Sequence, residues 1–226
     1  MNMAKLKNKT VVITGASSGL GASLALECAK QGARLALFAR DGERLRAVAE
    51  RCETEGAEAL AVVGDVTVAA DGKRLVAETV GRFGCLDFLI ANAGVSMWTR
   101  FDEAENLGLF RKLMEVNYLG AVHCVHPALP HLKQSGGVFV AISSIQGKVG
   151  VPLHTGYSAA KHALHENCGK RRAAGAAVAE EAGVRGEVGG ARVVARRRGE
   201  GAPHARLFQE IAHSCTSQRG RSHAST

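Results

Sequence analysis

Five short apolar runs recur along the first 145 residues, each followed by a stretch whose apolar positions repeat at helical spacing. Thr10-Val-Val-Ile-Thr14 is β-branched and ends at Gly15, which predicts a strand. Leu20, Leu24 and Cys28 then mark one face of a helix over residues 20–31. Arg34–Phe38 predicts the second strand. A helix follows from about Asp41 to Thr54, with Leu45, Val48 and Cys52 on one face and Asp41 as its N-cap. Ala59–Val66 predicts a third strand, and Leu75, Val76, Val80 and Phe83 a third helix. Asp87–Ala91 and Val138–Ile142 predict the fourth and fifth strands, and a long helix between them spans roughly 107–132. Pro127 and Pro130 are expected to end that helix. Continuously apolar strands separated by helices predict a parallel sheet covered on both faces, a doubly wound, Rossmann-like α/β fold.

Charge divides the chain in two. The net +8 splits into +3 over residues 1–165 and +5 over the last 61. Leu, Ile, Val and Phe fall from 46 of the first 165 residues to 8 of the last 61, too few to bury a core easily. The domain reading is therefore a dinucleotide-binding core over 1–165 and a basic Ala/Gly/Arg-rich segment over 166–226. No apolar run reaches the roughly 18 residues of a membrane span, and Met1–Thr10 lacks the apolar stretch of a secretory signal. The expected setting is cytoplasmic. Six scattered cysteines without a C-x-x-C pair predict reduced thiols, mostly core fillers. His123 and His126 stand three apart, but no further ligand cluster accompanies them, so no metal site is expected.

The candidate chemistry lies at the C-terminal ends of the predicted strands. The first runs into Thr14-Gly15-Ala-Ser17-Ser18-Gly19-Leu20-Gly21. Glycines there allow a tight turn and a close approach to a pyrophosphate held at the next helix N-terminus. Asn92-Ala93-Gly94 follows the fourth strand and Ser143-Ser144 the fifth. Tyr157-Ser-Ala-Ala-Lys161 begins 13 residues after Ser144. A phenol ordinarily titrates near pH 10, and an ammonium one helical turn away favours its ionised form. The expectation is that Lys161 lowers the pKa of Tyr157. Asn92 is expected to tie neighbouring loops together through its buried amide.

In these motifs and their order, residues 8 to about 165 resemble the short-chain dehydrogenase/reductase family. The resemblance implies hydride transfer between a nicotinamide cofactor and a ketone or secondary alcohol. Tyr157 would be the general acid/base, Lys161 would hold the nicotinamide ribose, Ser144 would polarise the carbonyl, and Asn117 would anchor a proton-relay water. The cofactor set so implied is Gly15, Ser17, Ser18, Gly19, Leu20, Gly21, Arg40, Asp65, Val66, Asn92, Ala93, Gly94, Tyr157 and Lys161, with Asp65 at the adenine. Ala39 stands where NAD-preferring relatives carry Asp, and Arg40 follows, so NADP is expected rather than NAD. Ser96, Met97, Trp98 and residues 149–155 match the pocket wall, and Met97, Trp98, Val151 and Leu153 imply a hydrophobic small-molecule substrate. His154, near Tyr157, is placed to touch substrate or to face solvent, and the solvent-facing loop position is the expectation. The resemblance also implies a homodimer or homotetramer.

After His165 the pattern stops. The helix continues as Glu166-Asn-Cys-Gly-Lys-Arg-Arg, and Arg192-Val-Val-Ala is only faintly strand-like and leads to no Pro-Gly. Three readings remain open: a basic arm for nucleic acid or a membrane surface, a divergent C-terminus, or a shifted reading frame. The segment lacks stacking aromatics and mixes six acids with its bases, against a nucleic-acid role. GC-rich codons read out of phase yield Ala, Gly and Arg, which favours the third. On that reading the last strands and the cover of the nicotinamide site are lost, and the fifth strand has an unpaired edge. Weak or no turnover is then expected. The alternative function is a catalytically impaired dinucleotide-binding protein.

Overall fold

The computed structural model describes residues 6–169 and the backbone of two further strands at 177–178 and 191–197. Strands β1 (Thr10–Thr14), β2 (Arg34–Ala39), β3 (Ala59–Val63), β4 (Phe88–Ala91) and β5 (Val138–Ser144) pair in parallel, in the order β3-β2-β1-β4-β5. Helices α1 (Gly19–Lys30), α2 (Gly42–Thr54) and α3 (Ala69–Phe83) connect the first four strands. The predicted Rossmann-like sheet is present. The strand order reverses between β1 and β4, and this switch point opens the crevice where such sheets bind ligands.

Alternation along each strand divides the core between the two faces of the sheet. Val11 and Ile13 of β1, Leu35 and Leu37 of β2, and Phe88 and Ile90 of β4 pack with Leu24, Cys28, Leu45 and Cys52 of α1 and α2. Val12, Ala36, Phe38 and Leu89 pack on the opposite face with Leu75 and Val76 of α3 and with residues of the fourth crossover. Both faces are covered, so the strands read as continuous apolar runs. At the N-terminal edge of the sheet, buried Asp87 accepts from the Thr10 N–H at 2.9 Å and from Lys9 Nζ at 2.8 Å.

The fourth crossover departs from expectation in two ways. It consists of α4 (Gly108–Met114), a π-helical turn over Glu115–Leu119, and α5 (Gly120–Ser135). Pro127 and Pro130 lie inside α5 and do not end it. Pro127 has no N–H for the carbonyl of His123, and Gly72 of α3 packs so close to that carbonyl that a Cβ would lie 2.5 Å from its oxygen. Burial of Cys124, Ala128 and Leu132 at i, i+4 and i+8 carries the helix past both prolines to Gly136, whose φ of +62° suits a left-handed C-terminal stop.

The 3₁₀ turn Ile145–Gly147 and helix α6 (Thr155–Gly169) follow β5. The edge of β5 is not left open as expected. A strand over 191–197 lies antiparallel along it, from Phe139↔Arg196 to Ser144↔Ala191, and the two-residue strand 177–178 pairs antiparallel on its far side. An unpaired row of N–H and C=O groups beside a buried strand is costly, and pairing with the strand at 191–197 satisfies it. The remainder of the basic segment 166–226 expected to lack the fold lies outside the described residues. Among those described, no helix is long and apolar enough to cross a membrane.

Candidate active site

The glycine-rich turn after β1 is locked onto the turn after β4. Thr14 Oγ1 accepts from the backbone N–H groups of Asn92 and Ala93, each at 3.1 Å. Asn92 Nδ2 donates to the carbonyls of Thr14 and Gly15 at 3.0 and 3.3 Å, the loop-tying role expected of it. A Cβ on Gly15 would lie 2.8 Å from Ala93 Cα, and one on Gly21 would lie 2.2 Å from the Gly15 carbonyl oxygen. These two glycines are therefore required by the protein's own packing. Gly15 and Gly19 also adopt φ of +67° and +61°, where a side chain is strained.

The N-terminus of α1 is nevertheless suited to an anion. Ser18 is its N-cap, with extended backbone, but the Ser18 side chain makes no capping bond and no acid occupies the first turn. The amides of the first turn, Gly19, Leu20 and Gly21, have no intrahelical acceptor and end beside Ser17 and Ser18.

Arg40 follows β2, two-thirds exposed, with Nη1 3.9 Å from Asp65 Oδ2. Asp65 is fixed by its neighbours: its N–H donates to Asp71 Oδ2 and its Oδ1 accepts from the Thr67 N–H, both at 2.9 Å. The Asp65 N–H, and then the Arg74 guanidinium, hold the Asp71 carboxyl below the usual range. Sequence reasoning missed Asp71; its signal is an acid in the first turn of the helix after Gly-Asp-Val. Val66 is buried against Gly120, so its side chain belongs to the core. Asp41 caps α2 as expected, accepting from the Arg44 N–H at 3.1 Å.

Ser144 ends β5, where its Oγ accepts from the Gln146 N–H at 3.2 Å. Tyr157 and Lys161 share a face of α6, one turn apart, with Lys161 Nζ 5.6 Å from the Tyr157 ring centre. Lys161 is only 4% exposed, and Nζ donates to the Ile142 carbonyl at 2.9 Å. Burial lowers its pKa to about 8. Burial also pushes the Tyr157 phenol above its ordinary value, and a side-chain hydrogen bond with Ser144 opposes that shift. The expected lowering by Lys161 is thus overturned. The cation is itself desolvated and turned to a backbone carbonyl, so loss of water dominates at the phenol.

Asn117 sits on the π-helical turn, which directs it away from the regular helical face. Its Nδ2 donates to the carbonyls of Val95 and Leu113 at 2.9 and 3.0 Å, and its Oδ1 accepts from the Val95 N–H at 3.2 Å. A Cβ on Gly94 would lie 2.8 Å from Asn117 Oδ1 and 3.6 Å from Lys161 Nζ. Gly94, Asn117 and Lys161 therefore meet at one point, beside the ends of β4 and β5. Gly147, also missed, lets α6 reach β5: its Cβ would lie 2.8 Å from Ser143 Oγ and 2.9 Å from the Lys161 carbonyl oxygen.

Two loops carry the residues expected to wall the substrate pocket. Met97 is buried, with its Sδ accepting from the Gly156 N–H at 3.2 Å, so it anchors the first turn of α6. Trp98 is 76% exposed, and Ser96, Ile145 and Val149 are exposed as well. His154 does not face solvent. It is 8% exposed, edge-on to Trp98 at 4.8 Å between ring centres and to Tyr157 at 6.2 Å. Among the described residues, no three His, Cys, Asp or Glu gather as metal ligands, and His123 Nδ1 is paired with the Val66 carbonyl at 3.0 Å.

The short chain dehydrogenase family profile matches residues 9–173, well over half of the chain. The chain belongs to the short-chain dehydrogenase family. An Arabidopsis thaliana member named 11-beta-hydroxysteroid dehydrogenase-like 4A is 44% identical over 161 residues, covering 71% of this chain and 54% of its own length. An 11-beta-hydroxysteroid dehydrogenase of Pinus massoniana is 39% identical over 160 residues, or 70% of this chain and 45% of its own. The chain spans about half the length of the curated relatives it matches. Among solved structures, an alcohol dehydrogenase of Thermococcus sibiricus complexed with 5-hydroxy-NADP superposes with a TM-score of 0.68 at 32% identity, covering 71% of this chain and 68% of that one. Levodione reductase superposes with a TM-score of 0.69 at 30% identity, covering 73% and 65%.

Proposed function

We propose that this short-chain dehydrogenase is an NADP-dependent oxidoreductase that interconverts a hydrophobic ketone and its secondary alcohol. The convergence of Gly94, Asn117 and Lys161 beside Tyr157 and Ser144 carries the reading. The nicotinamide supplies or accepts the hydride when bound. Ser144 and Tyr157 share the substrate oxygen, Ser144 by a hydrogen bond that strengthens as charge develops there and Tyr157 by exchanging the proton. Raised by burial, the Tyr157 phenol stays protonated at neutral pH, which suits it as the acid for carbonyl reduction. Lys161 would hold a ribose hydroxyl of the cofactor, and Asn117 holds the loop after β4 through Val95.

At the other end, the uncapped α1 N-terminus takes the pyrophosphate and Asp65 the adenine. Exposed Arg40, next to Ala39, pairs with a 2′-phosphate. The Thermococcus sibiricus relative's 5-hydroxy-NADP complex supports that choice, and the plant relatives named 11-beta-hydroxysteroid dehydrogenases support a steroid-like or comparably apolar substrate. Exposed Trp98, edge-on to the His154 ring that in turn meets Tyr157, offers apolar contact near the site.

Oxidation of NADPH over a panel of apolar ketones, with Tyr157→Phe as control, tests the reading. Turnover abolished by the substitution is expected. NADPH binding without turnover on any ketone would leave a dinucleotide-binding protein instead.

A further inference from the structure

His154 combines three features that its position on a loop did not foretell. It is more than nine-tenths buried, and its Nδ1 has no hydrogen-bond partner. Such an orphaned buried atom is destabilising unless something else satisfies it. Its ring packs edge-on to Trp98 and to Tyr157, so the unpaired atom belongs to a side chain in ring contact with the residue proposed to exchange the proton. The backbone is held equally firmly. Leu153 adopts φ of +69°, a strained conformation for a branched residue, and its carbonyl accepts from the Thr99 N–H at 3.0 Å. The His154 carbonyl accepts from the Ser158 N–H at 2.7 Å. Trp98, the ring on its outer contact, is exposed and belongs to a separate loop, so it is the natural element to shift when a ligand enters.

We propose that His154 determines specificity: its Nδ1 hydrogen-bonds a second oxygen of the substrate while Tyr157 takes the reacting one. This rests on the oxidoreductase reading and deepens it. The preferred ligands are ketones that carry a further hydroxyl or carbonyl, not simple ketones. A neutral hydrogen bond made to an otherwise unpaired buried atom gives about a tenfold preference in affinity.

The test measures binding in Tyr157→Phe, which is chemically silent, by calorimetry in the presence of NADP. The probes are cyclohexanone and its 2-, 3- and 4-hydroxy derivatives. At least one hydroxyketone is expected to bind about tenfold more tightly than cyclohexanone and to move the His154 imidazole ¹⁵N resonances. Adding His154→Phe, which keeps the ring contacts, is expected to bring the affinity ratio to about one. His154→Asn, whose amide can reach the place of Nδ1, is expected to retain part of it. Equal affinities for all four probes, or a preference that survives His154→Phe, would overturn the proposal. The outcomes separate from those of the parent reading. A His154-dependent preference without turnover in the unsubstituted protein sinks the oxidoreductase reading alone, and turnover without the preference sinks this proposal alone.

Discussion

Lys161 provides a sharp test of the electrostatics at the site, because its ammonium is held almost out of water. Folded, it loses its proton near pH 8; in the unfolded chain it keeps it to about 10.5. Between those values the unfolded chain binds the extra proton, so stability rises with pH. One pH unit of difference corresponds to about 1.4 kcal/mol, which gives about 3 kcal/mol over the whole window. Two buried thiols act in the opposite direction. Burial raises Cys52 to about 11 and Cys124 to about 12, from 9 when exposed. Their unfolded forms ionise first, so each removes stability above about pH 9. The unsubstituted protein should therefore gain stability from pH 7.5 to 9 and lose it above. Lys161→Met keeps the side chain's length and removes the titration. Urea unfolding of both proteins, reduced and without cofactor, at intervals from pH 7 to 10.5 isolates the lysine, because the thiol contribution cancels in the difference. That difference should grow by about 3 kcal/mol in favour of the unsubstituted protein as pH rises. A difference flat to within about 0.5 kcal/mol would refute the claim that burial governs this lysine.

Gly21→Ala puts a Cβ 2.2 Å from the Gly15 carbonyl oxygen and 2.6 Å from Asn92 Nδ2, and should cost about 1–3 kcal/mol in thermal or urea unfolding. Gly81→Ala, inside α3 with nothing within 4 Å of the new Cβ and no positive φ, should instead stabilise by about 0.5–1 kcal/mol. Equal effects of the two would show that packing is not what distinguishes these glycines. Arg40→Ala should weaken NADPH binding about 10- to 100-fold and leave NADH nearly unaffected, read by nucleotide fluorescence titration; parallel losses for both nucleotides would exclude a 2′-phosphate contact.

Much of the fold is legible in the chain because its signals are local. The apolar runs at Val11–Ile13 and Phe88–Ile90 are buried on both faces, so they are apolar without interruption and stand out. Asp41 is read correctly as a cap because a cap is a contact three residues long. Thr14, Asn92, Asn117, Ser144, Tyr157 and Lys161 are likewise recognisable, since each holds a place in an ordered set of short motifs. The errors fall where distant segments compete with a local rule. Pro127 ends a helix in isolation, but here Gly72 and the stripe Cys124–Ala128–Leu132 outweigh the lost hydrogen bond. His154 is polar and lies on a loop, yet Trp98 and Tyr157 enclose it.

By itself, then, the sequence determined the alternating strands and helices, the family, and the residue types around one crevice. Those depend on periodicity and on spacing along the chain, which folding does not alter. Tertiary structure alone decided that Gly15 and Gly21 serve the Asn92 lock, that β5 is flanked by an antiparallel strand, and that Tyr157 is raised where Lys161 was expected to lower it. Each of these is set by how much water and which neighbour remains beside an atom once segments tens of residues apart have met, and the order of residues carries no record of that.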